Sequence, residues 1–317
     1  MPFPFVGSKR SQKSSLVVQA KKAYDDSTYG PFEEGDVGIS RDRIGKDGDG
    51  SQAFFSLYYR MYNSTRVKDC SIPKTTSKLP LVVLHGGPSL PSQYLYPLVS
   101  HLSLDRPIIF YDQLGCGKSD EPKEPQFYSI AHSVADLDTV LTTLGFSKDS
   151  RVHLFGHSYG GNLAFEFAKA RPQLVQSLLL SNTPANMKQA GDSYDRLAAR
   201  NPVGFWKERV CSVESPSLDN AMQNSGSVWA GMDVVLDYVA SPPPMVDGKA
   251  LFPSTLVVTC ARDFAVESSQ GWNSVLQGIT NVELETVHLE KCAHYPHLED
   301  GYSFGSVLET FMTKHDG

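Results

Sequence analysis

Short apolar runs alternate with amphipathic stretches along most of the chain. The run PLVVLHGG (80–87) is continuously apolar until its glycines, the pattern of a strand buried on both faces. RPIIFYDQLGCG (106–117) repeats it, an apolar strand followed by a Gly-rich loop. QSLLLSNTP (176–184), STLVVTC (254–260) and VELETVHLE (282–290) add three more strands, and the aromatic QAFFSLYYRMY (52–62) is β-prone. Helical spacing appears in between. Ala131, Val134, Leu137, Val140 and Leu141 share one face over 129–145, with Gly145 placed to end the helix. SQYLYPLVSHL, a stretch near 266–277 and a terminal stretch near 301–314 also read as helices. Strands alternating with helices predict a mostly parallel α/β sheet with helices on both faces.

Two regions break this rhythm. Residues 1–50 read as an N-terminal tail and Gly/Asp-rich loops, with one short strand at most. Residues 185–248 hold scattered aromatics, helical patches and SPPPM, and read as a short, mainly helical cap inserted over the C-terminal edge of the sheet, where open α/β sheets bind ligands. The core is then 51–184 together with 249–317.

In RVHLFGHSYGGNLAFEFAKA (151–170) the apolar period changes halfway, from a strand to a helix carrying Leu163, Phe165, Phe167 and Ala168. Ser158 sits at the junction between Gly156 and Gly160. A strand that turns into a helix so tightly crowds its apex residue, favours glycine on both sides, and exposes the apex side chain beside the helix's unpaired N–H groups. That suits a nucleophile. A serine needs a base, and the base an orienting acid, expected in that architecture in the order serine, acid, histidine. Asp263 follows the first strand after the insertion and is the expected acid, with Glu267 further along as the alternative. His294 is the first histidine after the next strand and is the expected base. His297, just before the last helix, competes with it, and His288 lies within the strand. Two convergent backbone donors would complete an oxyanion hole: Tyr159 N–H and, from LHGGPS (84–89), Gly87.

Composition narrows the classes. The chain of 317 residues has a net charge of −6, which gives no electrostatic case for nucleic acid or an anionic membrane, and it has no apolar run of transmembrane length. Five cysteines without a C-x-x-C pair imply reduced thiols and no metal site, and no cofactor motif is present. The start is basic and free of acids until Asp25, as in a solvated tail or an organelle transit peptide; the expected compartment is the cytoplasm. One Asn63-Ser64-Thr65 sequon adds little.

Four separated motifs together carry a resemblance: HGGPS (85–89), DQLGCGKSD (112–120), GHSYGG (156–161) and AHYPHLE (293–299). The chain resembles the α/β-hydrolase superfamily, and within it the proline iminopeptidase-like serine peptidases. The resemblance implies Ser158, Asp263 and His294 as catalytic residues, Gly87 and Tyr159 as the oxyanion hole, and Asp112, Gln113 and Cys116 as supports of the site's floor. It implies an acyl-enzyme mechanism on a small amide or peptide. Two positions depart from the group's pattern: Ser89 stands for a glycine and Leu114 for an arginine. The group also uses acidic cap residues to hold a free α-amine, and no paired-glutamate signature is evident here. Trp206, Trp229 and Phe264 suggest a substrate pocket with substantial apolar lining, but the HGGP and AHYPH motifs, both those of the group, keep a pocket that reads a free amine as the expectation. An esterase or lactonase for an uncharged small molecule, or a ligand receptor on the same fold, are the alternatives.

Overall fold

The computed structural model describes residues 26–42, 51–64, 78–229, 235–247, 249–277, 279 and 282–317. The expected basic tail and Cys70 lie outside them. Strands are β1 (Phe32–Asp42), β2 (Gln52–Tyr62), β3 (Leu81–Leu84), β4 (Ile108–Tyr111), β5 (Val152–His157), β6 (Val175–Ser181), β7 (Met245–Val246), β8 (Lys249–Ala250), β9 (Ser254–Cys260) and β10 (Leu284–Leu289). Eight of them form one sheet in the order β1-β2-β4-β3-β5-β6-β9-β10. β1 and β2 are antiparallel to their neighbours, and every pairing from β4 to β10 is parallel.

Helices are α1 (Ile130–Thr143), α2 (Tyr159–Ala170), α3 (Met187–Arg200), α4 (Pro216–Gln223), α5 (Val266–Gln270), α6 (Trp272–Leu276), α7 (Pro296–Glu299) and α8 (Gly301–Lys314). Alternation along the central strands splits the core in two. Val82, Leu84, Ile109, Tyr111 and Leu154 face α1 and α2, while Leu81, Val83, Ile108, Phe110 and Phe155 face α8 and the 92–101 segment. Each face is therefore covered, which explains the uninterrupted apolar runs.

Three local expectations change. Residues 32–42, read as loops with at most a short strand, form an eleven-residue edge strand. Its acids Glu33, Glu34 and Asp36 hide the signal, but Val37, Ile39 and Arg41 alternate inward, and Arg41 makes a buried ion pair with Asp136 at 2.6 Å. The stretch Ser92–His101 winds as 3-10 turns rather than an α-helix, with Pro97 inside it unable to donate a backbone hydrogen bond. The helix expected near 266–277 is two short helices that meet at Gly271. No helix among the described residues is long and apolar enough to cross a membrane.

Candidate active site

Ser158 caps α2 directly after β5 with φ 55° and ψ −128°, a backbone conformation that costs about 1–3 kcal/mol and persists only where its surroundings impose it. Two anchors do so here. Ser158 N–H donates to Ser181 O at the end of β6 (2.9 Å), and Gly161 N–H donates to Ser158 O (2.9 Å). Gly160 is needed because α2 starts against β3: a Cβ there would collide with the Leu84 and His85 carbonyls.

Asp263 and His294 come from the ends of β9 and β10, beyond β6 in the sheet, and meet at 2.9 Å between Asp263 Oδ1 and His294 Nδ1. Both are buried. Asp263 Oδ1 also accepts Ala265 N–H (2.9 Å), and Oδ2 accepts Asn182 Nδ2 (2.8 Å). A carboxylate holding Nδ1–H leaves the other imidazole nitrogen as an acceptor. His294 N–H donates to Val210 O (2.9 Å) and Phe264 N–H to Arg209 O (3.2 Å), so residues of the 185–248 stretch pin both loops.

Ser158 and His294 line the same small cavity, about 20 Å³, with Gly86, Gly87, Leu90, Met187 and Phe264 among the other walls. Gly87 has φ +116°, which a side chain would strain, and a cis bond joins it to Pro88. Tyr159 is the first residue of α2, where an N–H has no partner within the helix. The structure thus gathers Ser158, Asp263, His294, Gly87, Tyr159 and Phe264. The Phe264 ring packs against the His294 ring, with centroids 4.6 Å apart and the planes tilted by 40°. Trp229 is buried beside Tyr159 and Tyr128, with its indole N–H on Leu114 O (2.8 Å), and does not line the cavity. Trp206 is exposed and does not line it either. Of the two alternatives to the site residues, Glu267 is exposed beside Arg196. His297 is buried and donates to Tyr94 O (3.1 Å), burial pushing its pKa down to about 3.

Several functional positions escape sequence reasoning. Asn182, itself at φ 50°, ties Asp263 to Ala293 O (3.1 Å) and so spaces the acid from the loop bearing His294. A buried chain of hydrogen bonds also crosses the site. Gly86 N–H donates to Tyr94 Oη (2.8 Å), Tyr94 Oη lies 2.9 Å from His157 Nδ1, and His157 Nε2 lies 2.7 Å from His294 O. A carbonyl can only accept, so His157 carries its proton on Nε2, and Tyr94 donates to Nδ1. Burial holds the His157 pKa well below the usual imidazole range, assisted by the neighbouring His294 and His297. The HGGP loop and the His294 backbone are thereby linked through neutral groups. His157 carries a visible signal, its place beside Ser158; Tyr94 and Asn182 carry none, since only the fold brings them here.

The floor is braced independently. Asp112 accepts Ser92 N–H (2.7 Å) and Lys118 N–H (3.0 Å), and Gln113 N–H donates to His85 Nε2 (2.9 Å). Cys116 donates to Pro88 O (3.1 Å) with its thiol pKa raised well above the usual range by burial, which suits packing rather than nucleophilic attack.

Comparison with known proteins gives a consistent picture. The α/β hydrolase fold model matches residues 80–219. A proline iminopeptidase of Saccharolobus solfataricus is 37% identical over 138 residues, 42% of this chain and 41% of that protein. One of Lactiplantibacillus plantarum is 36% identical over 152 residues, 47% of this chain and 49% of that protein. The alignments thus span less than half the length of these relatives. The crystal structure of proline iminopeptidase from Mycobacterium smegmatis superposes with a TM-score of 0.63 at 22% identity, covering 88% of this chain and 99% of that one. From its sheet order, its strand–serine–helix turn and these matches, the chain has the α/β-hydrolase fold and is similar, through its central part, to proline iminopeptidases.

Proposed function

We propose that the protein is a serine hydrolase that works through an acyl-enzyme on small acyl substrates. The observation that carries this reading is the strained Ser158 sharing one cavity with a His294 whose Nδ1 is fixed by buried Asp263. Ser158 Oγ attacks the acyl carbon as His294 takes its proton, with the oxyanion received by the N–H groups of Gly87 and Tyr159. The bond to the leaving group breaks, and His294 returns the proton to the departing atom. Water, deprotonated by His294, then attacks the acyl-enzyme, releasing the acid and restoring Ser158. Asp263 orients the base and stabilises its cationic form. Residues 185–248 act as the cap, since Met187 and Ala190 of α3 wall the cavity. The names of the relatives favour an amide substrate, as in a proline iminopeptidase or amino-acid amidase. The four described cysteines are unpaired and buried, in keeping with a reducing compartment such as the cytoplasm.

The test is turnover of p-nitrophenyl acetate. Ser158→Ala and His294→Ala should each lower kcat by about 10³-fold or more while the fold is retained. Near-native turnover in either variant refutes the assignment.

A further inference from the structure

We infer that the Ser158 cavity takes a short, uncharged acyl group rather than one bearing a free α-amine. This rests on the serine-hydrolase reading and departs from the specificity that the relatives' names suggest. The first support is where the acids are. An ammonium group carried into an apolar wall needs a carboxylate beside it, because desolvating it unpaired is costly. Among the described residues of the 185–248 stretch, Asp192, Asp195, Glu208, Glu214, Asp219 and Asp237 are all exposed. Asp192 already pairs with Lys188 at 2.6 Å.

The acids nearest the site are occupied. Both Asp263 oxygens are engaged, with His294, Ala265 and Asn182. Glu299 accepts Ser212 N–H (2.9 Å) and Ala293 N–H (2.6 Å), which bridges the cap to the His294 loop. The cavity walls themselves carry no carboxylate among the described residues.

The walls also have their own preference. Leu90, Met187, Ala190 and Phe264 present carbon, and Tyr94 and Tyr295 present rings whose hydroxyls burial keeps protonated. Both ring nitrogens of His157 are already engaged, Nδ1 by Tyr94 and Nε2 by His294 O, so neither is left to accept from an ammonium. Size sets the second limit. A space of about 20 Å³ is little more than a water molecule occupies, and α3 bounds it on one side through Met187 and Ala190. A short branched acyl group therefore asks for the least rearrangement of Met187 and Ala190, and a long chain for the most.

The experiment compares two esters that differ only in CH₃ against NH₃⁺. These are phenyl isobutyrate and L-alanine phenyl ester, assayed with the full chain at about pH 6.5, where an α-amine keeps its proton. Rates are taken over a Ser158→Ala blank. The expected result is a kcat/KM for the isobutyrate at least about 30-fold above that for the alanine ester, the lower range for leaving a buried charge unpaired. Equal efficiency, or preference for the alanine ester, overturns the inference and leaves the hydrolase reading intact. Phenyl octanoate tests the size limit: it should be the poorer substrate, and equal turnover overturns the claim of a short acyl group. Failure of all three esters to exceed the blank overturns the serine-hydrolase reading itself.

Discussion

Tyr94→Phe removes a single oxygen from the middle of the buried chain that joins the HGGP loop to the base. The ring stays, so its edge-on packing against Tyr295 and His157 is kept, and Tyr94 O still accepts His297. What is lost is the acceptor for Gly86 N–H at 2.8 Å and the donor to His157 Nδ1 at 2.9 Å. Both stranded groups are buried, and the structure gives neither of them another protein partner. Each unsatisfied group costs about 1–3 kcal/mol, so the variant should lose about 2–6 kcal/mol of stability. Gly86 precedes the proposed oxyanion donor Gly87, and His157 holds the His294 carbonyl, so kcat should fall as well, by about 10-fold for a base and donor displaced by a fraction of an ångström. Urea unfolding gives the first quantity, and acetyl ester turnover of the still-folded variant gives the second. KM should move less than kcat, since the Tyr94 ring stays in the cavity wall and only its hydroxyl is lost. A stability loss under about 0.5 kcal/mol with unaltered kcat would refute the reasoning, because two buried polar groups cannot both lose their partners at so little cost.

Two other outcomes follow from the same geometry. Asp263→Asn should lower kcat by about 10³-fold or more, since an amide can offer N–H to His294 Nδ1 and so favour the wrong tautomer; retained turnover would exclude an orienting role. Acid should destabilise the fold through Arg106, fully buried between Glu309 (3.0 Å) and Asp316 (2.9 Å). Burial opposes ionisation of both acids, but hydrogen bonds from Arg106 to both, from His153 to Asp316 and from Lys78 to Glu309 outweigh it and hold their pKa values below the usual 4.5 and 3.8. Folded-state values lower than unfolded ones mean stability is fully present above that range and is lost as pH falls through the lowered values. Stability should therefore drop below about pH 4, and a flat acid limb in urea titrations would contradict the sign.

The central sheet was legible because a strand buried on both faces leaves little room for polar residues: β3 and β4 are apolar throughout, and β5, β6 and β9 keep apolar centres between a few polar positions. The edges were less so. β1 lies at the margin of the sheet, where only every second residue faces the core, and its acids look like loop. Ser158, Asp263 and His294 could be placed by order along the chain because each follows a strand of the parallel sheet, β5, β9 and β10 in turn. Gly87 and Phe264 were reachable by adjacency to those motifs. The contacts that hold them were not. Tyr94 reaches the site from a 3-10 segment with no motif, and Asn182 acts through a positive-φ turn that no spacing announces. Nor could an aromatic be assigned to the pocket by type: Trp229 and Phe264 are both buried aromatics near the site, and only the packing shows that one braces Tyr159 while the other lines the cavity.

The most direct measurement is the mass of the protein itself after rapid mixing with p-nitrophenyl acetate and acid quenching. The account predicts a gain of one acetyl group, located by peptide mapping on Ser158. The gain should be absent in Ser158→Ala and form far more slowly in His294→Ala. An acetyl group on any other residue, or equal labelling in the Ser158→Ala variant, would contradict it.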